Sequence, residues 1–413
     1  MSEKYESLAI DLQDPSGQWI AVGHIHSRND RNWFESTSEY WRMTNRPVLG
    51  QRFEDTGHDW RPNARAALPK WFSHLLPEGR LRVEIAHAAN LSPAREFKLL
   101  ERIGMNDLPG ATRATRIDQN GVPLTPPEDS ESDDASDAAS VLKFSLAGVQ
   151  LKFSISDGDR GPTVPVRGQS GTAILKMPDS RSGFEGVPEA EYAAMKLAEA
   201  AGLNVASVRL TDANKIAGIE NWASKLQGPS LLVDRFDRQN EQQRIHAEEF
   251  AQILDISATS HNAKYRKANF ETIANIVAKM IDVESVGEVI DRIVFNILIG
   301  NGDAHLKNWG VIYPDGKKPI LGPAYDIVPT VLFIKNDDLG LNLNKTKSFH
   351  EISSSDFERI GAVTEFGIRE SRERAELMVA RVLENWNTLR ELLPLDRFSY
   401  LEKRLSKLKI TSQ

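Results

Sequence analysis

The stretch Asn301-Gly302-Asp303-Ala304-His305-Leu306-Lys307-Asn308 decides how the rest of the chain is read. It sets an Asp and an Asn five positions apart, in a turn between an apolar helical run and a second apolar segment, Trp309 to Tyr313. Phosphoryl transfer uses such a pair. The carboxylate orients the attacking hydroxyl and accepts its proton, and the amide oxygen holds a magnesium ion that neutralises charge on the phosphates. Alone, the string is weak, because Asp and Asn are also ordinary turn formers. Its surroundings give it weight. A hairpin is expected next, Gly310 to Tyr313 and Pro319 to Leu321 joined around Pro314-Asp315-Gly316. It returns the chain to Ala324-Tyr325-Asp326, so a second carboxylate arrives beside the first loop, where a kinase keeps its other metal ligand. Ile327-Val328 stand where the D-F-G pattern would continue, and the plain alternative is an Asp capping a turn before Pro329. His305 is either a donor to the transferred phosphate or a solvent-facing loop histidine.

Upstream, Val286, Val289, Ile290, Ile293, Val294, Ile297 and Leu298 recur every three or four residues and define one apolar helix face ending at Gly300-Asn301-Gly302. Further back, strands are expected at Leu142 to Ser145, Leu151 to Ile155, Ala173 to Met177 and Leu231 to Phe236. With them goes a helix from Pro188 to Ala201 that stops at Gly202. This is the order of a small sheet-based lobe carrying one helix, and after about Gln239 the signal turns mostly helical. Lys176 ends an apolar strand, and Glu191 follows on the helix; a strand lysine that grips ATP phosphates while paired to a helix glutamate is a second kinase hallmark. Glu189 is the rival partner. Ser145-Leu146-Ala147-Gly148-Val149-Gln150-Leu151-Lys152 lies between two expected strands, and its amides and Lys152 could cradle phosphates, although one glycine does not make the kinase glycine loop. Val233-Asp234-Arg235-Phe236-Asp237-Arg238 closes the small lobe, either as an interlobe hinge offering backbone groups to adenine or as an edge strand with charged ends.

The first 116 residues read as a separate β-rich and helical unit: Leu8, Ile10 and Leu12 alternate, as do Ile20 and Val22, and Pro77 and Gly79 of LLPEG punctuate two helices. Residues 117–140 follow, acidic, serine-rich and proline-bearing, which is the composition of a solvated linker, with an acidic docking segment as the alternative. A length of 413 residues suits two or three units, and 40% hydrophobic with 26% charged residues is ordinary for a globular protein. The net charge of -7 argues against a broad basic surface that would bind nucleic acid by itself. No cysteine is present, so thiolate chemistry and disulfides are excluded. The start of the chain has no signal-peptide pattern and the longest apolar run is too short to span a bilayer, so a cytoplasmic protein without membrane contact is expected.

The set SLAGVQLK, ILKMP, EAEYAAMKLAEAAGLNV, VDRFDR, EEFAQILDI with KY following, NGDAHLKN and AYD, in this order, resembles the HipA kinases of bacterial type II toxin-antitoxin systems. LPKWFSHLLPEGRL resembles that family's N-terminal unit, so the likeness runs from about residue 8 to 390. It implies an α/β (α+β) chain with a protein-kinase-like bilobal fold: an N-terminal subdomain over 1–116, the acidic linker 117–140, a small lobe over 141–238 and a helical lobe over 239–413. It further implies Ser/Thr protein phosphorylation with ATP and magnesium, with Asp303 as base assisted by His305 and with Asn308 and Asp326 on the metal. Ala147, Gly148, Val149, Gln150, Leu151, Lys152 and Lys176 would hold the ATP phosphates, and His305, Lys307, Asn308, Tyr325 and Asp326 would also contact ATP. Asp234, Arg235 and Phe236 would meet the adenine, Glu191 would pair with Lys176, and Ser145 matches the regulatory autophosphorylation serine. Implied partners are a protein substrate of the aminoacyl-tRNA synthetase class and a HipB-type helix-turn-helix antitoxin, with operator DNA reached only through the antitoxin. The acidic insertion before Val141 and the long segment Asp179 to Pro188 depart from the family pattern and leave the target open. Two other readings compete. A small-molecule kinase of aminoglycoside or choline type usually has His-Gly-Asp where this chain has Asn301-Gly302-Asp303, and would leave LLPEG without a purpose. A non-catalytic corepressor would have no need of Asp303, Asn308, Asp326 and Lys176 together.

Overall fold

Alternation at the start of the chain becomes strand pairing. The structure, a computed structural model, describes residues 5–105, 107–124, 152–158, 161–163, 170–178, 182–217, 219, 228–260 and 262–412. Strand β1 (Glu6–Gln13) buries Leu8, Ile10 and Leu12 and turns the residues between them outward. It lies between β2 (Trp19–Arg28) and β5 (Thr112–Ile117), and β3 (Arg31–Ser36) and β4 (Asn63–Arg65) extend the antiparallel sheet in the order β4-β3-β2-β1-β5. Two helices of this unit are longer than a couple of turns. They are α1 (Gly79–Ala88), which begins at the Gly79 expected to punctuate LLPEG, and α2 (Glu96–Ile103), which buries Phe97, Leu99, Leu100 and Ile103.

The small lobe is a second five-stranded sheet of β6 (Lys152–Gly158), β7 (Gly161–Thr163), β8 (Ala173–Lys176), β9 (Val208–Thr211) and β10 (Ser230–Asp234), ordered β7-β6-β8-β10-β9. Helix α3 (Val187–Ala200) packs on one face with Leu231 and Val233. Leu232 points the other way, into the core of the N-terminal unit with Phe153, Ile155 and Leu175. The sheet is therefore buried on both sides, which is why β8 and β10 read as continuous apolar runs instead of alternating. Strand β10 stops at Asp234, short of the expected Phe236, because Arg235 leaves the sheet for the carboxylates of Asp107 and Asp237.

The large lobe carries α4 (Phe270–Met280), α5 (Val286–Ile299), α6 (Ile368–Glu384) and α7 (Leu395–Leu405), with a short sheet of β11 (His246–Glu249), β12 (Gly310–Tyr313) and β13 (Ile320–Leu321). The expected hairpin is β12 with β13. Helix α5 is buried along its whole length and ends at Gly300, whose φ of 76° is the left-handed cap that favours glycine. Arg404 on α7 donates to the carbonyls of Ile297 and Leu298, satisfying acceptors that the helix end leaves without intrahelical donors. The end of α5 is thus fixed at the point where the Asn301 to Asn308 stretch begins. The expected strand Leu142 to Ser145, the phosphate-loop residues Ala147 to Leu151, residues 125–140 of the linker and residues 179–181 lie outside the described residues.

Candidate active site

Hydrogen bonds internal to the turn shape the stretch after α5. The Asn301 side chain donates to Asn296 Oδ1 at 2.9 Å and accepts the amide of Asp303 at 3.0 Å. The Gly302 amide donates to Thr330 Oγ1 at 2.7 Å. A Cβ on Gly302 would lie 2.5 Å from the backbone oxygen of Asp338, so only glycine fits. Asn308 closes the loop: its Nδ2 donates to the Asp303 carbonyl at 2.8 Å, which leaves Oδ1 as an acceptor facing the cleft.

Asp303 stands about half exposed at the cleft, with Tyr265 Oη donating to its Oδ1 at 2.5 Å and His305 Nε2 3.7 Å from the same oxygen. His305 is buried, not solvent-facing. Burial pushes its pKa down to about 4 despite the pull of Asp303, so the ring is neutral at pH 7. Its Nδ1 accepts the Lys307 amide at 3.3 Å, which places the proton on Nε2, toward Asp303.

The second carboxylate reaches the same cleft. Asp326 holds φ at 58°, a left-handed conformation uncommon for residues with a side chain and tolerated best by Asp and Asn. Lys176 Nζ is paired to both Glu191 and Asp326, and Lys152 Nζ lies 3.6 Å from Asp326 Oδ2. Of the two candidate partners, Glu191 is the one that meets Lys176. Burial alone would push the Asp326 carboxyl up, but Lys152 and Lys176 outweigh it and hold the group well below the usual carboxylate range. Lys176 is held above the ordinary lysine range: burial works against its charge, and Asp326 and Glu191 together prevail.

Between the lobes these groups line a cleft of about 1250 Å³, whose walls include Ile174, Phe236, Tyr325 and Val328. Phe236 and Tyr325 sit with ring centroids 5.4 Å apart, and Tyr325 Oη donates to the Lys307 carbonyl at 2.7 Å. The amides of Asp234 and Arg235 donate to the carbonyls of Ser207 and Thr172, and their side chains meet Arg209 and the Asp107–Asp237 pair. Lys307 is buried with Nζ 2.7 Å from Glu78 Oε1 and 3.7 Å from Glu249 Oε2. The LLPEG segment is therefore part of the site: Leu75, Leu76 and Glu78 line the cleft. Lys307 and Lys264 outweigh burial and draw the Glu78 carboxyl down to about 2, whereas burial outweighs the same lysines at Glu249 and raises it to about 7. Sequence reasoning gave no role to Glu78 or Tyr265. Both lie in stretches conspicuous in the sequence, LLPEG and the KY pair, but their partners are 229 and 38 residues away.

Comparison with known proteins gives the family. Residues 144–388 match the family model described as the HipA-like C-terminal domain, and residues 18–115 match the HipA N-terminal domain. A protein of Sinorhizobium fredii provisionally named as a kinase, Y4dM, is 35% identical over 376 residues, spanning 89% of each chain. The serine/threonine-protein kinase toxin HipA of Shewanella oneidensis is 26% identical over 212 residues, covering 46% of this chain and 44% of that one. In fold, the chain superposes on a structure of the Shewanella oneidensis HipA, HipB and operator DNA complex with a TM-score of 0.70, at 19% identity and over 97% of this chain and 96% of the other. Both lobes and the N-terminal unit are thereby accounted for, and the chain belongs to the HipA family of kinases.

Proposed function

We propose that the protein is a serine/threonine protein kinase that transfers the γ-phosphoryl group of ATP to a cellular protein, with Asp303 as general base. The observation that carries this reading is the convergence of Asp303, Asn308, Asp326 and the Lys176–Glu191 pair on one cleft from four separate stretches of chain. Magnesium fits the donor set: an amide oxygen on Asn308 and a carboxylate on Asp326 are hard oxygen ligands, and magnesium completes its shell with water and phosphate oxygens. Bound there, the ion would neutralise charge on the ATP phosphates. Lys176, oriented by Glu191, grips those phosphates, with Lys152 beside it. Phe236 and Tyr325 give the base an apolar wall, next to the Asp234–Arg235 segment. His305, neutral with its proton on Nε2, supplies a donor at the transferred group.

The remaining features of the reading come from the family. The chain acts as the toxin of a type II toxin-antitoxin pair, restrained by a HipB-type helix-turn-helix antitoxin that supplies contact with operator DNA. Its target is a protein of the aminoacyl-tRNA synthetase class, and phosphorylation of Ser145 switches it off. The Shewanella relative forms a complex with HipB and its operator DNA, which supports an antitoxin of that type as partner. The N-terminal unit, with LLPEG in the cleft, favours a protein kinase over a small-molecule kinase. Incubation of the purified chain with γ-labelled ATP, magnesium and cell lysate separates the readings. Label in a protein band is expected; label in a metabolite points to a small-molecule kinase, and no label to a corepressor.

A further inference from the structure

Tyr265 stands on the short helix Ala263–Arg266, lines the cleft and reaches the candidate base. Its Oη is 2.5 Å from Asp303 Oδ1, and because an ionised carboxylate only accepts, the phenol is the donor. The phenol keeps its proton: burial and then the Asp303 charge hold it above the ordinary tyrosine range. The ring is itself held in place. His305 packs edge-on against it, with centroids 5.0 Å apart and planes at 73°. The Leu306 amide donates to the Lys264 carbonyl at 3.3 Å, and Lys347 Nζ bonds the Tyr265 carbonyl at 3.4 Å, so the short helix is tied to the catalytic stretch and to the segment beyond it.

A half-exposed aspartate has a soft terminal torsion and, left alone, samples many orientations. One oxygen pinned by a held phenol removes that freedom. We propose that Tyr265 is a positioning residue for phosphoryl transfer, fixing Asp303 through Oδ1 so that Oδ2 is the oxygen presented to the acceptor hydroxyl. This rests on the reading of Asp303 as general base. In the step, the acceptor oxygen forms a bond to the γ-phosphorus and passes its proton to Asp303 Oδ2. The bond from that phosphorus to the bridging oxygen breaks with its electron pair leaving on ADP, and Tyr265 keeps its own proton throughout.

The test uses the full chain, Tyr265→Phe and Asp303→Asn with γ-labelled ATP, magnesium and dephosphorylated casein, with label in the chain itself also counted. Tyr265→Phe keeps the ring and its packing and removes only the donor. The expected result is a kcat lower by roughly 10- to 100-fold, the scale of losing one hydrogen bond to a charged group that preorganises the reaction, with KM for ATP and Tm unchanged. Asp303→Asn should transfer nothing. A wild-type kcat in Tyr265→Phe beside an inert Asp303→Asn overturns the inference and leaves the base assignment standing. A fall in kcat matched by a lower Tm and a higher KM makes the residue structural and also overturns it. Transfer by Asp303→Asn, or none by the wild-type chain, overturns the base assignment and the inference together.

Discussion

Asp303 sits half exposed at the cleft with a phenol on one oxygen, whereas Asp326 is three-quarters covered and lies against two lysines, and this difference in setting suits the two carboxylates to the different roles proposed for them. Asp303→Asn should abolish transfer while Mg-ATP still binds, because the change removes the proton acceptor and no core contact. Asn308→Ala and Asp326→Ala should instead weaken Mg-ATP binding, read by calorimetric titration, since each loses an oxygen ligand. Under the proposed switch, Ser145→Ala should prevent loss of activity during incubation with Mg-ATP, because a phosphate there adds about -1.5 to -2 charges just before the proposed phosphate-binding stretch in sequence. Phosphopeptide mapping that finds no phosphate on Ser145 contradicts the switch. Much of the candidate site was legible at this scale because Asp303, His305 and Asn308 are neighbours in sequence, and the fold keeps them on one cleft. Tyr265 and Glu78 were not, because each acts on the catalytic stretch through a contact that only the folded chain makes.

Among the elements, α5 was the most legible, since a helix buried on nearly every side still shows its apolar period, and its glycine stop is explicit in the sequence. The β12–β13 hairpin was equally plain, from its Pro-Asp-Gly turn. The end of β10 was misjudged because what draws Arg235 out of the sheet is Asp107, 128 residues earlier, as well as nearby Asp237. The helix that opens at LLPEG carries the most consequential unforeseen contact. Glu78 ties the N-terminal unit to Lys307 in the candidate catalytic stretch, and its carboxyl is drawn down to about 2 from an ordinary 4.5. A depressed carboxyl contributes stability that is complete above its unfolded value and is lost as pH falls through the folded one. Acid titration of Tm should therefore show a loss between about pH 4.5 and 2 in the wild type that is reduced in Glu78→Gln. At neutral pH Glu78→Ala should cost roughly 1–3 kcal/mol, below the ~3–5 kcal/mol typical of a broken buried pair, because Glu249 stands close enough to take over Lys307. Chemical denaturation checks this, and an unchanged midpoint would contradict the tie.

At the scale of the molecule, the core of the N-terminal unit continues into the small-lobe sheet, so that Leu232 and Leu175 pack with Leu8, Phe34 and Trp71. The lobe order and the helical character of the second half were readable from period and composition. That shared core was not, because a doubly buried strand shows apolar residues without saying which neighbour each face meets. Leu232→Ala should cost about 2–5 kcal/mol, the range for emptying a fully buried leucine site, and should loosen both units in one cooperative transition. Two separate transitions in calorimetry would argue for independent units. What the shared core and the Glu78 tie together achieve is a cleft with three walls, held so that a carboxylate, an amide and a paired lysine line one space. The most direct measurement is magnesium-dependent transfer of the γ-phosphate of ATP to protein in a cell lysate, run with the wild-type chain and with Asp303→Asn. Label should enter protein with the wild type alone and disappear when magnesium is chelated; equal labelling by both chains, or label confined to a small metabolite, would contradict the account.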